Sequence, residues 1–189
     1  MSRKGKPADA VPPFERRLTR QQRRAWLAYM RLQLRLRYEM NRQLQTDSGL
    51  SLADYDVLNA LRYSPGGAMQ ITGLAALIGW ERSRLSHHAR RMSARGLVTS
   101  DVLASDRRAT ELRLTDRGWQ AITEASEGHI ELVRRLFFGG LPADHLTAVT
   151  EALEAVYENV IENGSLPAPA ETTRTSGRSA AQPVRLIGP

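Results

Sequence analysis

The chain has 189 residues, 27 Lys and Arg against 20 Asp and Glu, and no cysteine. That length suits one domain, or one domain with ordered extras, and the missing cysteine excludes disulfides, thiolate metal sites and cysteine redox switches. No apolar run approaches the roughly 18–20 residues that cross a bilayer, and no hydrophobic signal core follows the basic start MSRKGKPADAVPP. A soluble, cytoplasmic protein without a membrane segment is the expectation.

The net charge of +7 favours a polyanionic partner, and its distribution is polarised. Residues 1–42 hold twelve Lys/Arg against three acids, and residues 81–95 hold five arginines against Glu81 alone. Residues 143–162 carry five acids and no Lys or Arg. Seven of the nine prolines lie before residue 14 or after residue 164, so 1–13 reads as a disordered basic arm and 165–189 as a disordered tail.

In chain order, residues 14–48 lack Gly and Pro and are rich in Gln, Arg, Leu, Met and Ala, which predicts one long helix. Its apolar residues do not keep to one stripe, so it is expected to touch more than one neighbour, including a second subunit. Ser51 with Asp54 three residues on starts a second helix like a capping box, and SPGG at 64–67 breaks the chain. ITGLAALIGWERSRLSHHARRMSARGL reads as two short helices around Gly79, the second ending at Gly96. LVTSDVLA and TELRL alternate like strands, with Leu112 and Leu114 inward and Glu111 and Arg113 outward, joined by a hairpin at SDRRA. Thr115 caps a helix running to about Phe138, and Pro142 opens a last one in which Leu146, Val149, Leu153, Val156 and Val160 repeat at coiled-coil spacing.

The order helix, helix, strand, turn, strand is that of a winged helix–turn–helix. The fold class is therefore mainly α with a small β-hairpin wing (α+β): a DNA-binding domain over 49–116 between helical regions at 14–48 and 117–164. Leu74, Ala75, Ile78 and Leu85 mark the inward face, and Gly79 allows the bend. In that frame Arg82, Ser83, Ser86, His87 and Arg90 point outward, with Arg84 beside them, where a recognition helix meets base edges and phosphates in a major groove. Arg107 and Arg108 stand at the wing, and Asp106 can pair with Arg108 and orient its guanidinium towards a minor groove.

GLVTSDVLASDRRATELRLTDRG resembles the wing and following helix start of the MarR family of bacterial transcription regulators, through the pair Asp106/Arg108 and the L-x-L-T-x-x-G run Leu112–Gly118. GWERSRLSHHARRMSARGLV resembles that family's recognition helix, and LSLADYDVLNAL the helix before the pair. Over roughly residues 20–162 the resemblance implies a homodimer whose interface is built from the first helix (14–48) and the last two (117–164), and a small, often aromatic or anionic effector that lowers DNA affinity. Dimer symmetry predicts a pseudo-palindromic site on double-stranded DNA, and the chain reads as a repressor-type regulator. At the inward position of His88 the family usually has an aliphatic residue; here it reads as a half-buried core histidine or as a pH-sensitive element.

An effector cleft is expected where the first helix meets the second and the one beginning at Thr115, with Arg23, Trp26, Tyr29 and Tyr55 as candidates. Core packing is the competing reading of these aromatics. No cofactor, metal or catalytic residue is expected: there is no phosphate-cradling loop, no H-E-x-x-H and no G-x-S-x-G. Adjacent His87 and His88 point to different helix faces. The alternative function is a ligand-independent architectural DNA-binding protein. Finally, the basic first helix and the acidic last one are expected to pair across a dimer interface.

Overall fold

The computed structural model describes residues 17–103 and 106–169. The expected basic arm at 1–13 and most of the expected tail at 165–189 lie outside the described residues. The chain divides into two compact units, up to Glu39 and from Met40 onward. Helix α1 (Arg20–Ser48) begins in the first unit. It starts six residues later than the composition suggests, because Thr19 and Gln22 close a capping box: Gln22 N–H donates to Thr19 Oγ1 at 3.2 Å and Thr19 N–H to Gln22 Oε1 at 2.9 Å. Along the first unit's part of α1, Trp26, Leu34 and Tyr38 are exposed.

The second unit takes the end of α1, then α2 (Leu52–Arg62), β1 (Ala68–Gln70), α3 (Ile71–Leu77), α4 (Arg82–Ala94), β2 (Val98–Leu103), β3 (Asp106–Leu114), α5 (Asp116–Leu136) and α6 (Leu146–Asn163). The expected capping box at Ser51 and Asp54 starts α2, with both reciprocal bonds made. Gly79 turns α3 into α4 with φ of 69°, a backbone shape that favours glycine.

The sheet has three antiparallel strands in the order β1–β3–β2. Strand β1 was not expected. It is three residues long, too short to show alternation, and exists because Ala68, Met69 and Gln70 pair with Arg113, Leu112 and Glu111. The hairpin also differs from expectation: Asp106–Ala109 belong to β3, and Leu103 pairs with Asp106 across a register shift after Val102. Residues 106–109, most of the expected turn segment, thus extend the wing strand.

One core joins these elements. Leu44 of α1, Leu58 and Leu61 of α2, Leu74 of α3, Leu85 and Met92 of α4, Leu112 of β3 and Ile122 of α5 are all fully buried. Thr115 caps α5, its Oγ1 accepting from Gly118 N–H at 3.0 Å and donating to Gly96 O at 2.6 Å. A Cβ at position 118 would run into the Leu97 carbonyl, so the glycine of the L-x-L-T-x-x-G run allows α5 to start against the sheet. Helix α5 ends at Leu136, two residues before the expected Phe138, and single turns at Phe138–Gly140 and Ala143–His145 precede α6, which therefore starts after Pro142 rather than at it.

Helix α6 buries none of its residues. Leu146, Leu153, Val156 and Val160 are 44%, 51%, 62% and 58% exposed, and Val149 is half-buried.

Candidate nucleic-acid interface

The candidate interface is built on α4. Its apolar positions Leu85, Ala89 and Met92 fall at helical spacing and are buried, which turns the opposite side outward. On that side Arg82, Ser83, Arg84, His87 and Arg90 are exposed, as the spacing predicted. Ser86 is half-buried and its Oγ donates to Arg82 O at 2.9 Å, so its hydroxyl proton is spent on the helix while its lone pairs stay free to accept. Three arginines, two serines and one histidine on one helix face can bond base edges and phosphate oxygens.

Trp80, in the turn before α4, is buried. The Arg84 guanidinium lies 4.0 Å from its ring centroid, a stacking distance that restricts the side chain and holds its donors in one direction. Trp80 is not among the residues that the sequence motifs assign to the interface; the one local signal for it is a tryptophan four residues before an arginine at a helix start.

The wing is a paired ladder from Val98↔Leu114 to Val102↔Thr110. Leu112 and Leu114 face the core, whereas Glu111 and Arg113 face away and form an ion pair of 2.7 Å. Arg113 also donates to Gly66 O at 3.2 Å, tying the wing to the turn before β1. The backbones of Asp106, Arg107 and Arg108 begin β3, but their side chains lie outside the described residues.

His88 is a buried residue, 7% exposed, not a half-buried one. Its Nε2 lies 3.0 Å from Oδ1 of Asp54, which is 3% exposed. Burial by itself would raise the Asp54 pKa. The contacts from His88, the Ser51 backbone N–H and Arg95 outweigh it and hold the carboxyl well below the usual carboxylate range.

Of the effector candidates, Arg23, Trp26 and Tyr29 lie in the first unit, where the Trp26 and Tyr29 rings form a tilted pair 5.6 Å apart on exposed surface. Tyr55 is a core residue of the second unit, with its ring 4.3 Å from that of His129. Desolvation raises the Tyr55 pKa and lowers that of His129. His129 Nδ1 and Gln43 Oε1 are buried without a hydrogen bond among the described residues. These two polar groups were missed in sequence, since neither sits in a motif. No three acidic or imidazole groups among the described residues gather at metal-binding distance, and no described helix is long and apolar enough to cross a membrane.

Comparison with known proteins places this geometry. A sequence profile described as MarR family matches residues 48–109. The chain is 30% identical to Sco3205 of Streptomyces coelicolor, a MarR family transcriptional regulator solved in complex with DNA, over 80% of this chain and 98% of that one, with a TM-score of 0.74. It is 31% identical to AbsC of the same organism over 76% of this chain and 96% of that one, with a TM-score of 0.71. The PcaV transcriptional regulator of S. coelicolor, solved with its natural ligand, is 25% identical over 67% of this chain and 89% of that one, with a TM-score of 0.57. With the winged helix–turn–helix, the outward basic face of α4 and this likeness over nearly the whole of two relatives, the chain belongs to the MarR family of transcriptional regulators.

Proposed function

We propose that this DNA-binding regulator acts as a homodimeric repressor whose DNA affinity falls when a small aromatic or anionic effector binds. The observation that carries the DNA reading is the exposed face of α4, where Arg82, Arg84, His87 and Arg90 surround Ser83 on a helix whose other side is locked in the core. Sco3205, the relative solved with DNA, supports the same reading. The exposed apolar residues of α6 support the dimer, since a helix with an unburied apolar stripe gains by covering it. PcaV, solved with its natural ligand, supports the effector.

In this reading each subunit sets Arg82, Ser83, Ser86, His87 and Arg90 in a major groove, and Arg108, aimed by Asp106, in the flanking minor groove. Two-fold symmetry then requires half-sites about 34–36 Å apart.

The test is a footprint of the purified protein on DNA from around its own gene at two salt concentrations. A compact, symmetric protected site is expected. Protection that spreads with concentration and collapses with salt would replace the repressor by an architectural DNA-coating protein. Arg108→Ala is expected to weaken binding and lower the salt slope by about 1, and Asp106→Ala to cost less. An unchanged slope removes the wing from the interface.

A further inference from the structure

The recognition helix is joined to the corner between α1 and α2 by a buried polar cluster that no base or phosphate contact explains. At its centre Asp54 serves two elements. Within α2 it completes the capping box, its Oδ2 accepting from Ser51 N–H at 2.9 Å. Towards α4 the same oxygen accepts from Arg95 Nη1 at 2.7 Å, and Oδ1 faces His88 Nε2 at 3.0 Å. Arg95 also donates through Nη2 to Gly49 O at 2.8 Å, so one guanidinium at the end of α4 grips both the carboxylate and the corner's backbone.

The protonation of His88 follows from its other side. Arg91 Nη2 lies 2.9 Å from His88 Nδ1, and a guanidinium can only donate. Nδ1 is therefore the acceptor, and the ring proton sits on Nε2, facing the Asp54 anion. That proton is not aligned for a straight hydrogen bond, and the attraction is chiefly electrostatic. The ring in turn meets Trp80 edge-to-face, with centroids 5.4 Å apart and planes at 83°, and Trp80 carries Arg84 on its face. The contacts run without a gap from the α2 cap to an arginine on the exposed face.

We propose that Asp54 is the positioning residue of the DNA-reading surface: through His88 and Arg95 it fixes the rotation of α4, and through Trp80 it fixes the direction of the Arg84 guanidinium. A helix rotated by a few degrees still presents the same charges to phosphate, but its base contacts go out of register. Loss of the Asp54 cluster therefore damages sequence discrimination and spares non-specific affinity. This rests on α4 being the helix that reads DNA.

The test uses the full chain and two DNAs, a sequence that the wild type enriches from a random duplex pool and its scrambled counterpart. Asp54→Asn keeps the shape and removes the charge. It is expected to lose about tenfold of the preference between the two DNAs, the size of one good base contact, with affinity for the scrambled DNA within about twofold. His88→Gln, whose amide can still donate towards Asp54, is expected to retain discrimination, and His88→Leu to lose it. Amide hydrogen exchange over residues 85–95 is expected to quicken in Asp54→Asn and His88→Leu but not in His88→Gln. Full discrimination in Asp54→Asn, equal losses on both DNAs, or a His88→Gln variant as damaged as His88→Leu would each overturn the proposal. Were the wild type to enrich no sequence, the DNA-reading role of α4 would fall instead, and the exchange data would decide the Asp54 cluster by themselves: unchanged exchange in Asp54→Asn overturns it.

Discussion

Helices α4 and α6 both carry apolar residues at helical spacing, and their fates are opposite. In α4, Leu85, Ala89 and Met92 disappear into a core shared with α2, α3, the sheet and α5. In α6, Leu146, Leu153, Val156 and Val160 are all more than two-fifths exposed. Periodicity alone does not separate the two helices. What separates them is whether the chain supplies the other wall: α3 and β2 do so for α4, and no described element does so for α6. An apolar face filled within the chain stabilises the domain. One left open stores its free energy for association.

Three experiments can break or sharpen this contrast, and the largest effect belongs to the closed face. Leu85 is fully buried, and Leu85→Ala is expected to cost about 2–5 kcal/mol in denaturant unfolding, because a cavity is left among neighbours that cannot collapse into it. A cost under about 1 kcal/mol would mean that the α4 core is not the rigid platform described.

The open face predicts a different signature. Leu153→Asp places a charge in the centre of the α6 stripe and is expected to weaken self-association at least tenfold by sedimentation, because an unpaired charge is costly to bury in an interface. The circular dichroism of the α2–α5 core should survive. Unchanged sedimentation would show that the stripe is not the dimer seam.

The smallest effect is a pH dependence. His129 rests against Tyr55 with its Nδ1 buried, and burial lowers its pKa from the usual 6.5. A histidine whose folded pKa is depressed favours the folded state in its neutral form. Its contribution is complete above about pH 6.5 and is lost as pH falls through the lower folded value. Stability measured from pH 7 downward should therefore fall more steeply in the wild type than in His129→Phe. Parallel curves would rule out the protonation of His129 as their cause.

Much of the interface was legible because it obeys local rules. The outward side chains of α4 follow from the spacing of Leu85, Ala89 and Met92, and the wing from the alternation that buries Leu112 and Leu114. The orientation of these groups was not legible. Arg84 was one of several candidate DNA-binding arginines, without a direction of its own, until Trp80 came under it, and Asp54 looked like a capping residue until α4 returned to it.

The sequence by itself determined the order of the helices and of the two wing strands, the caps at Ser51 and Thr115, the bend at Gly79 and which side of α4 faces out. Each of these depends on residues a few positions apart, linked by a turn of helix or a pleat of strand. Only the tertiary structure decided that Ala68–Gln70 would be a strand, that residues 106–109 would extend β3, and that Asp54 would hold Arg95 from 41 residues away. Those outcomes depend on pairings whose partners are chosen by the packed core, and such pairings leave no periodic trace in the chain.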